Sequence, residues 1–208
     1  MKITIGKERP SNGAVALRDA LRALGHTVRF TKEYPNKIIW GKPTNKKMQL
    51  QAFSVEGVPC VEWTLDPSVA AEWPVVYERH TLSGHSGEGI VVSQGGPVGD
   101  APLYTKGITG KRREYRVHII GDAAHVQQKK RRNGFHDYEY ASDDVRNHST
   151  GWVYTVGTMT NPPEGIIELA RSAVQALSLT YGAVDIIATK ESLYVLEVNT
   201  APGLEGRT

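Results

Sequence analysis

The chain has 208 residues and a single cysteine, Cys60, which excludes an internal disulfide and fits a reducing compartment. Its seven histidines are scattered, and no Cys/His cluster has zinc spacing. No apolar run approaches the roughly 20 residues that span a bilayer. The opening Met-Lys-Ile-Thr-Ile-Gly lacks the apolar core of a signal peptide. A cytoplasmic protein without membrane partners is expected. The turn after the first strand has no Gly-x-Gly-x-x-Gly, which argues against a Rossmann cofactor site there. There is no internal repeat, heptad or low-complexity segment.

What is present is an ordinary globular composition, 39% hydrophobic and 23% charged, long enough for one or two domains. The net charge of +3 hides an asymmetry. Nine Lys/Arg stand against two acids, Glu114 and Asp122, between residues 105 and 132, so the remainder is net negative. A local basic segment in a nearly neutral protein points to a phosphate-bearing or acidic ligand. Tyr115 is the one Phe, Trp or Tyr among those charges, which weakens a nucleic-acid reading.

In chain order, residues 2–6 read as a strand. Ser11 can cap a helix whose stripe is Ala14, Leu17, Leu21 and Leu24, ended by Gly25. Residues 26–31 and 37–41 read as strands. Asn45 can cap a helix over 46–56, and 58–61 enters a new strand, with Cys60 a core residue. A short helix is expected over 67–72 and a buried strand over 74–77. The glycine-rich stretch 81–92 lies between strands. Its bare N–H groups can wrap phosphates, or it is a flexible hairpin tip; without Gly-Lys-Ser/Thr or a following helix it is not a P-loop. Residues 103–106 are extended. Residues 113–120 form a strand with Glu114, Arg116 and His118 on one face, and 123–131 return as its partner. Residues 133–151 read as a long loop and 152–156 as a strand. Asn161-Pro162-Pro163-Glu164 signals a helix start, with Ile166, Leu169, Ala170, Ala173 and Leu177 as its stripe.

Two β-branched runs, 182–188 and 193–198, flank a short polar stretch and read as a hairpin. If its turn centres on Glu191, Asp185 lies directly opposite Glu197. Alternation would put Val195, Glu197 and Asn199 on one face. Two carboxylates and an amide oxygen on one spot suit Mg²⁺; the alternative is a solvated hairpin with two unrelated acids.

The order of these pieces resembles the ATP-grasp superfamily. Glu114-Tyr115-Arg116-Val117-His118-Ile119-Ile120-Gly121 looks like its D/E-x-R-V-x-V-x-G strand, and Val126-Gln127-Gln128-Lys129-Lys130-Arg131 is similar to the basic strand that follows. Asp185 and the run Val195-Leu196-Glu197-Val198-Asn199-Thr200-Ala201-Pro202-Gly203 resemble its metal-binding end, with spacing closest to the ribosomal-protein glutamate ligase branch. The resemblance covers residues 45–208. It implies an α+β fold of two subdomains with a shortened N-terminal α/β unit: 1–44, then 45–104 with the glycine-rich loop, then 105–208 with the metal hairpin.

The resemblance also implies roles. Asp185, Glu197 and Asn199 would hold Mg²⁺, two ions with Mn²⁺ as a substitute. Arg116 would face the γ-phosphate or an acyl-phosphate, with Arg146 and Asn147 near the phosphates. Gly84, Gly87 and Gly89 would close over the triphosphate. Tyr104, Thr105 and Lys106 would form the hinge that meets adenine, and Lys129 would be a further nucleotide contact. Lys47 (or Lys46) would match one nucleotide-facing lysine. Arg79 or His80 stands where the family usually has another, and Arg can hold phosphate bidentately. The sequence ends at Glu205-Gly206-Arg207-Thr208, where relatives usually add a helix, so either the protein is naturally trimmed or a tail lies outside this sequence. Compact variants with this arginine resemble bacteriophage proteins, which would place the protein in a host cytoplasm.

The implied activity is an ADP-forming carboxylate–amine (or thiol) ligase. It would use ATP, a small carboxylate or peptide, and an amine nucleophile. A nucleotide-binding module without ligase activity and an ATP-dependent phosphotransferase are the alternatives. A homo-oligomer is compatible with either.

Overall fold

Alternation along the strands decides which face of the large sheet is apolar and packs in the core, and which is polar and turns to the site. The computed structural model describes residues 2–6, 11–31, 38–42, 44–83, 87–132, 143–155 and 161–204. The elements are β1 (Lys2–Gly6), α1 (Asn12–Ala23), β2 (Thr27–Thr31), β3 (Ile38–Ile39), α2 (Lys46–Val55), β4 (Trp63–Thr64), α3 (Pro67–Ala70), β5 (Val76–Arg79), β6 (Ile90–Ser93), β7 (Tyr104–Lys106), β8 (Arg113–Ile120), β9 (Ala123–Arg131), β10 (Trp152–Thr155), α4 (Ile166–Ala176), β11 (Tyr181–Ala188) and β12 (Leu193–Asn199). No helix among the described residues is long and apolar enough to cross a membrane.

The largest sheet is antiparallel, in the order β10-β9-β8-β11-β12. Tyr115, Val117 and Ile119 of β8 and Val184 and Ile186 of β11 turn to one side. There they meet Leu50 and Phe53 of α2 and Ile166, Leu169 and Ala173 of α4 in the main core. The helix stripes match this demand: the α4 stripe is buried from Ile166 to Val174. A four-stranded sheet, β4-β7-β5-β6, faces the other side of the large sheet across a cavity. The small parallel sheet β2-β1-β3 docks on the end of the large one, where Trp40 stacks on Tyr181 at 5.1 Å between ring centroids. The expected boundary at 104/105 thus falls inside β7, and α2, grouped with 45–104, packs on the five-stranded sheet.

Three local expectations are corrected. Ser11 does not cap α1 with its side chain; its hydroxyl accepts from Trp40 Nε1 at 3.0 Å. The helix signalled at Asn161 begins at Ile166. Ile166 N–H donates to Pro163 C=O, and Gly165 takes φ +75°, so 163–166 form a tight turn leading into the helix. Val195 does not share the face of Glu197. The β11–β12 ladder slips between Asp185 and Ile186, and Val195 points into the core at 0% exposure. That bulge places one extra residue on β12 and resets its alternation.

Candidate active site

The cavity between the two sheets has a volume of about 1280 Å³. Its floor is the polar face of the five-stranded sheet, formed by alternate residues of β8 and β9 (Glu114, Arg116, His118; His125, Gln127, Lys129), while Tyr115, Val117, Ile119 and Val126 between them turn to the core. Tyr77 and Arg79 of β5 and Thr105 and Lys106 of β7 come from the opposite wall. Gly87 takes φ +83° at the rim, and a Cβ there would lie 2.7 Å from Val145 Cγ1. Only glycine lets this turn settle on the 144–147 segment.

At the centre, Asp185 is the direct cross-strand partner of Glu197 on one side and of Arg116 on the other. Arg116 grips Asp185 with two hydrogen bonds, Nε to Oδ1 at 2.7 Å and Nη2 to Oδ2 at 2.8 Å. The Tyr154 hydroxyl donates to Oδ1 at 3.2 Å, and Asn199 Nδ2 lies 3.3 Å from Oδ2. Burial alone would push the Asp185 carboxyl up, but the Arg116 charge and hydrogen bonds hold it below the usual carboxylate range. Burial and the nearby Asp185 charge push the Tyr154 phenol up, so it stays a donor. Glu197 is ion-paired with Lys46, the first residue of α2.

A second group centres on Glu114, which is 6% exposed. Lys129, its cross-strand partner, donates to Oε2 at 2.9 Å, and Arg112 Nε and Arg146 Nε each approach Oε1 at 3.6 Å. Strand β10 supports these cations from below: Tyr154 underlies Arg116 and Lys129, and Trp152 underlies Arg131 and Arg146. One buried carboxylate cannot neutralise three cations, so this end of the cavity is electropositive.

Arg116, Arg146, Asn147, Arg79, Gly87, Thr105, Lys106, Lys129, Asp185, Glu197 and Asn199 therefore all line one cavity. Asn147 is also part of a turn, its Oδ1 accepting from Thr150 N–H at 3.0 Å. Lys47 is not among the lining residues; Lys46 is. Asn45 caps α2 through Met48 N–H and so fixes its rotation, which turns Lys46 toward Glu197. Tyr104 is fully buried on the far face of β7, where its hydroxyl donates to Gly99 C=O and accepts from Ala101 N–H. The β7 backbone is paired on both sides, with β4 and β5. Gly89 packs on Thr81 and is not among the lining residues. Gly84 lies outside the described residues. Arg112, Trp152 and Tyr154 reach the cavity although the sequence reading passed over them; the alternation Trp152/Tyr154 beside a basic partner strand is the signal that could have found the aromatic pair.

Asp185, Glu197 and Asn199 present only oxygen and amide donors on one patch, with the negative charge now balanced by Arg116 and Lys46. This donor chemistry fits a hard divalent cation such as Mg²⁺.

A polar cleft between two antiparallel sheets, floored by Arg116 and the acid hairpin, is the ATP-grasp arrangement, and this chain has the ATP-grasp fold. Its C-terminal part is similar to the RimK-like ATP-grasp domain, whose family profile matches residues 144–208. D-alanine–D-alanine ligase from Bacillus anthracis is similar over 99% of this chain and 88% of its own, with a TM-score of 0.59 and 15% identity. ATP-grasp ligase PsnB, complexed with minimal precursor, Mg and ADP, is similar over 98% and 89%, with 0.57 and 13%. The Chryseobacterium gregarium RiPP-associated ATP-grasp ligase, in complex with ADP and a leader and core peptide, is similar over 97% and 90%, with 0.54 and 15%. At such identities the likeness is one of fold. No curated protein matches the sequence.

Proposed function

We propose that this protein is an ATP-dependent carboxylate–amine ligase that forms ADP and phosphate through an acyl-phosphate, with a peptide or amino acid as a substrate. The observation that carries this is the composition of one cavity. Eight Lys/Arg and five Asp/Glu line it, and two of the acids are cross-strand partners. Such a lining suits a polyanion held with a divalent cation. The volume also exceeds the roughly 300–1000 Å³ of a typical single-ligand pocket, which leaves room for a second substrate. The ADP, Mg and peptides bound to the fold relatives support the same reading.

In this reading Asp185, Glu197 and Asn199 would hold Mg²⁺, which would neutralise phosphate charge. Lys46 and Arg116, released from the acids, turn to phosphate oxygens; Arg79 and Lys129 add fixed positive charge, and Arg146 and Asn147 lie beside them. The substrate carboxylate attacks the γ-phosphorus, and the bond to the ADP oxygen breaks. The amine then attacks the acyl carbon, phosphate leaves, and the amine proton is lost to solvent or a nearby base. Arg116 stabilises the transferring phosphoryl group. No protein nucleophile is required.

The test is incubation with Mg-ATP and a pool of peptides and amino acids, followed by product analysis. ADP, phosphate and a new amide mass are the expected outcome. AMP and pyrophosphate would refute the acyl-phosphate route, and tight nucleotide binding without turnover across the pool would favour a binding module.

A further inference from the structure

We infer that Gln49 is a positioning residue for the acid hairpin, setting the β12 backbone between Glu197 and Asn199 through its carboxamide. This rests on the reading above, that the hairpin holds the metal–nucleotide.

Strand β12 is the last of its sheet, so its outer backbone groups have no strand to pair with. A buried edge must find other partners. At Val198 the partner is one side chain. Gln49 Oε1 accepts from Val198 N–H at 2.8 Å, and Gln49 Nε2 donates to Val198 C=O at 3.0 Å. These two bonds reproduce a single rung of a ladder, at the residue that separates two of the three candidate metal-holding side chains. Three residues upstream along the same edge, Val195 N–H donates to Pro59 C=O at 2.9 Å. The three-residue interval is set by the bulge at Asp185/Ile186.

Gln49 is itself rigidly held. It is 5% exposed, and the next residue, Leu50, is locked in the core with Phe53 at 2% and 0% exposure. Its chemistry is specific, because the site requires a group that accepts and donates at once. A carboxylate would repel the Val198 carbonyl, and an apolar side chain would leave both backbone groups unmet. Lys46 lies three residues earlier, on the same side of α2. Its side chain pairs with Glu197, and its N–H donates to Leu82 C=O at 3.0 Å, close before the glycine-rich turn. One helix therefore touches both the root of that turn and the acid hairpin, and Gln49 is its fixed contact with the hairpin.

The experiment compares wild type, Gln49→Met, Gln49→Glu and a control, Phe53→Leu, which loosens the same core while keeping the Gln49 carboxamide. ADP binding is measured by calorimetry across a Mg²⁺ series, and Val198 amide exchange by NMR. Supporting groups around metal ligands are typically worth about 10–100-fold, so Gln49→Met should raise the Mg²⁺ needed for half-maximal ADP binding by about 10-fold or more. Val198 exchange should accelerate in the same variant. Gln49→Glu should keep the Val198 amide protected yet still raise the Mg²⁺ needed for half-maximal ADP binding. It carries the comparison alone if Gln49→Met does not fold. Phe53→Leu should lower Tm and leave both readouts unchanged. Mg²⁺ dependence in both Gln49 variants equal to wild type, or a shift in Phe53→Leu as large as theirs, overturns the inference. Failure of wild type to bind ADP with Mg²⁺ overturns the underlying reading instead.

Discussion

Asp185 and Glu197 face each other across β11 and β12, and each is neutralised by a cation from another part of the chain. Arg116 of β8 holds Asp185, and Lys46 of α2 holds Glu197. Two carboxylates this close repel unless positive charge is shared between them. The pairing explains how a site rich in acids can fold, and it identifies the charges that a bound cation would take over.

Removing either acid should therefore separate metal-dependent from metal-independent binding. Glu197→Gln should weaken Mg-dependent ADP binding by roughly 10-fold or more, as loss of a ligand or its support does elsewhere. Asp185→Asn should do the same. It should also cost on the order of 3–5 kcal/mol of stability, because it leaves the largely buried Arg116 unpaired. Calorimetry with and without Mg²⁺, and urea unfolding, check the two parts. Unchanged Mg²⁺ dependence would remove these residues from the metal site.

Glu114→Gln tests the electropositive end. Lys129, Arg112 and Arg146 would lose the carboxylate they share. Stability should fall by about 3–5 kcal/mol, as when one partner of a buried ion pair is deleted. Inorganic phosphate should then raise Tm more in the variant than in wild type, since an added anion replaces the missing charge. An equal phosphate response in both proteins would contradict this account.

His118 should make the fold acid-sensitive in a defined window. Burial lowers its pKa, with Arg116 and His125 adding to the effect against Gln127 and Asp185. Its Nε2 lies 3.2 Å from Gln127 Oε1. Because the folded value is below the unfolded one of about 6.5, the unfolded chain takes up the proton first. The contribution is present above about 6.5 and is lost as pH falls toward the folded value. His118→Gln should flatten stability against pH below about 6.5, the usual imidazole pKa. An unaltered profile in chemical denaturation would assign the slope to other groups.

Gly87→Ala should loosen the rim of the cavity. The residue would be forced to φ +83° with its Cβ 2.7 Å from Val145 Cγ1. The left-handed conformation alone costs roughly 1–2 kcal/mol. Nucleotide affinity should fall while the far-UV spectrum stays unchanged, and adding Val145→Ala should recover the steric part only. Full affinity in the single variant would mean that this turn does not meet the nucleotide.

Much of the fold was legible because periodicity reports burial. The alternation of Glu114, Arg116 and His118 against Tyr115, Val117 and Ile119 predicts the two faces of β8, and that is how they lie. Asp185 does lie opposite Glu197, but the turn is not centred on Glu191: the pairs beside it run from Ala188–Leu193 to Ile186–Val195, and the bulge next to Asp185 supplies the one-residue shift that brings Glu197 into place. The start of α2 was legible from Asn45, whose side chain acts only on its neighbours. Expectations failed where a distant group competed for the same atoms. Ser11 gave up its capping role to Trp40, 29 residues away. Val195 left the polar face because the ladder slipped beside it. Tyr104 could not be told from a cavity residue, because both faces of β7 carry polar atoms and only packing chose between them.

By itself, then, the sequence determined the strands, the helices, their apolar stripes and the order of the acidic and basic segments. These follow from local backbone chemistry and from spacing. The tertiary structure alone decided that Lys46 rather than Lys47 meets Glu197, that Trp152 and Tyr154 seat the cations, and that Gln49 completes the edge of β12. Each of these contacts joins residues far apart in the chain, and no local rule sets the geometry that brings them within a hydrogen bond or a ring's width.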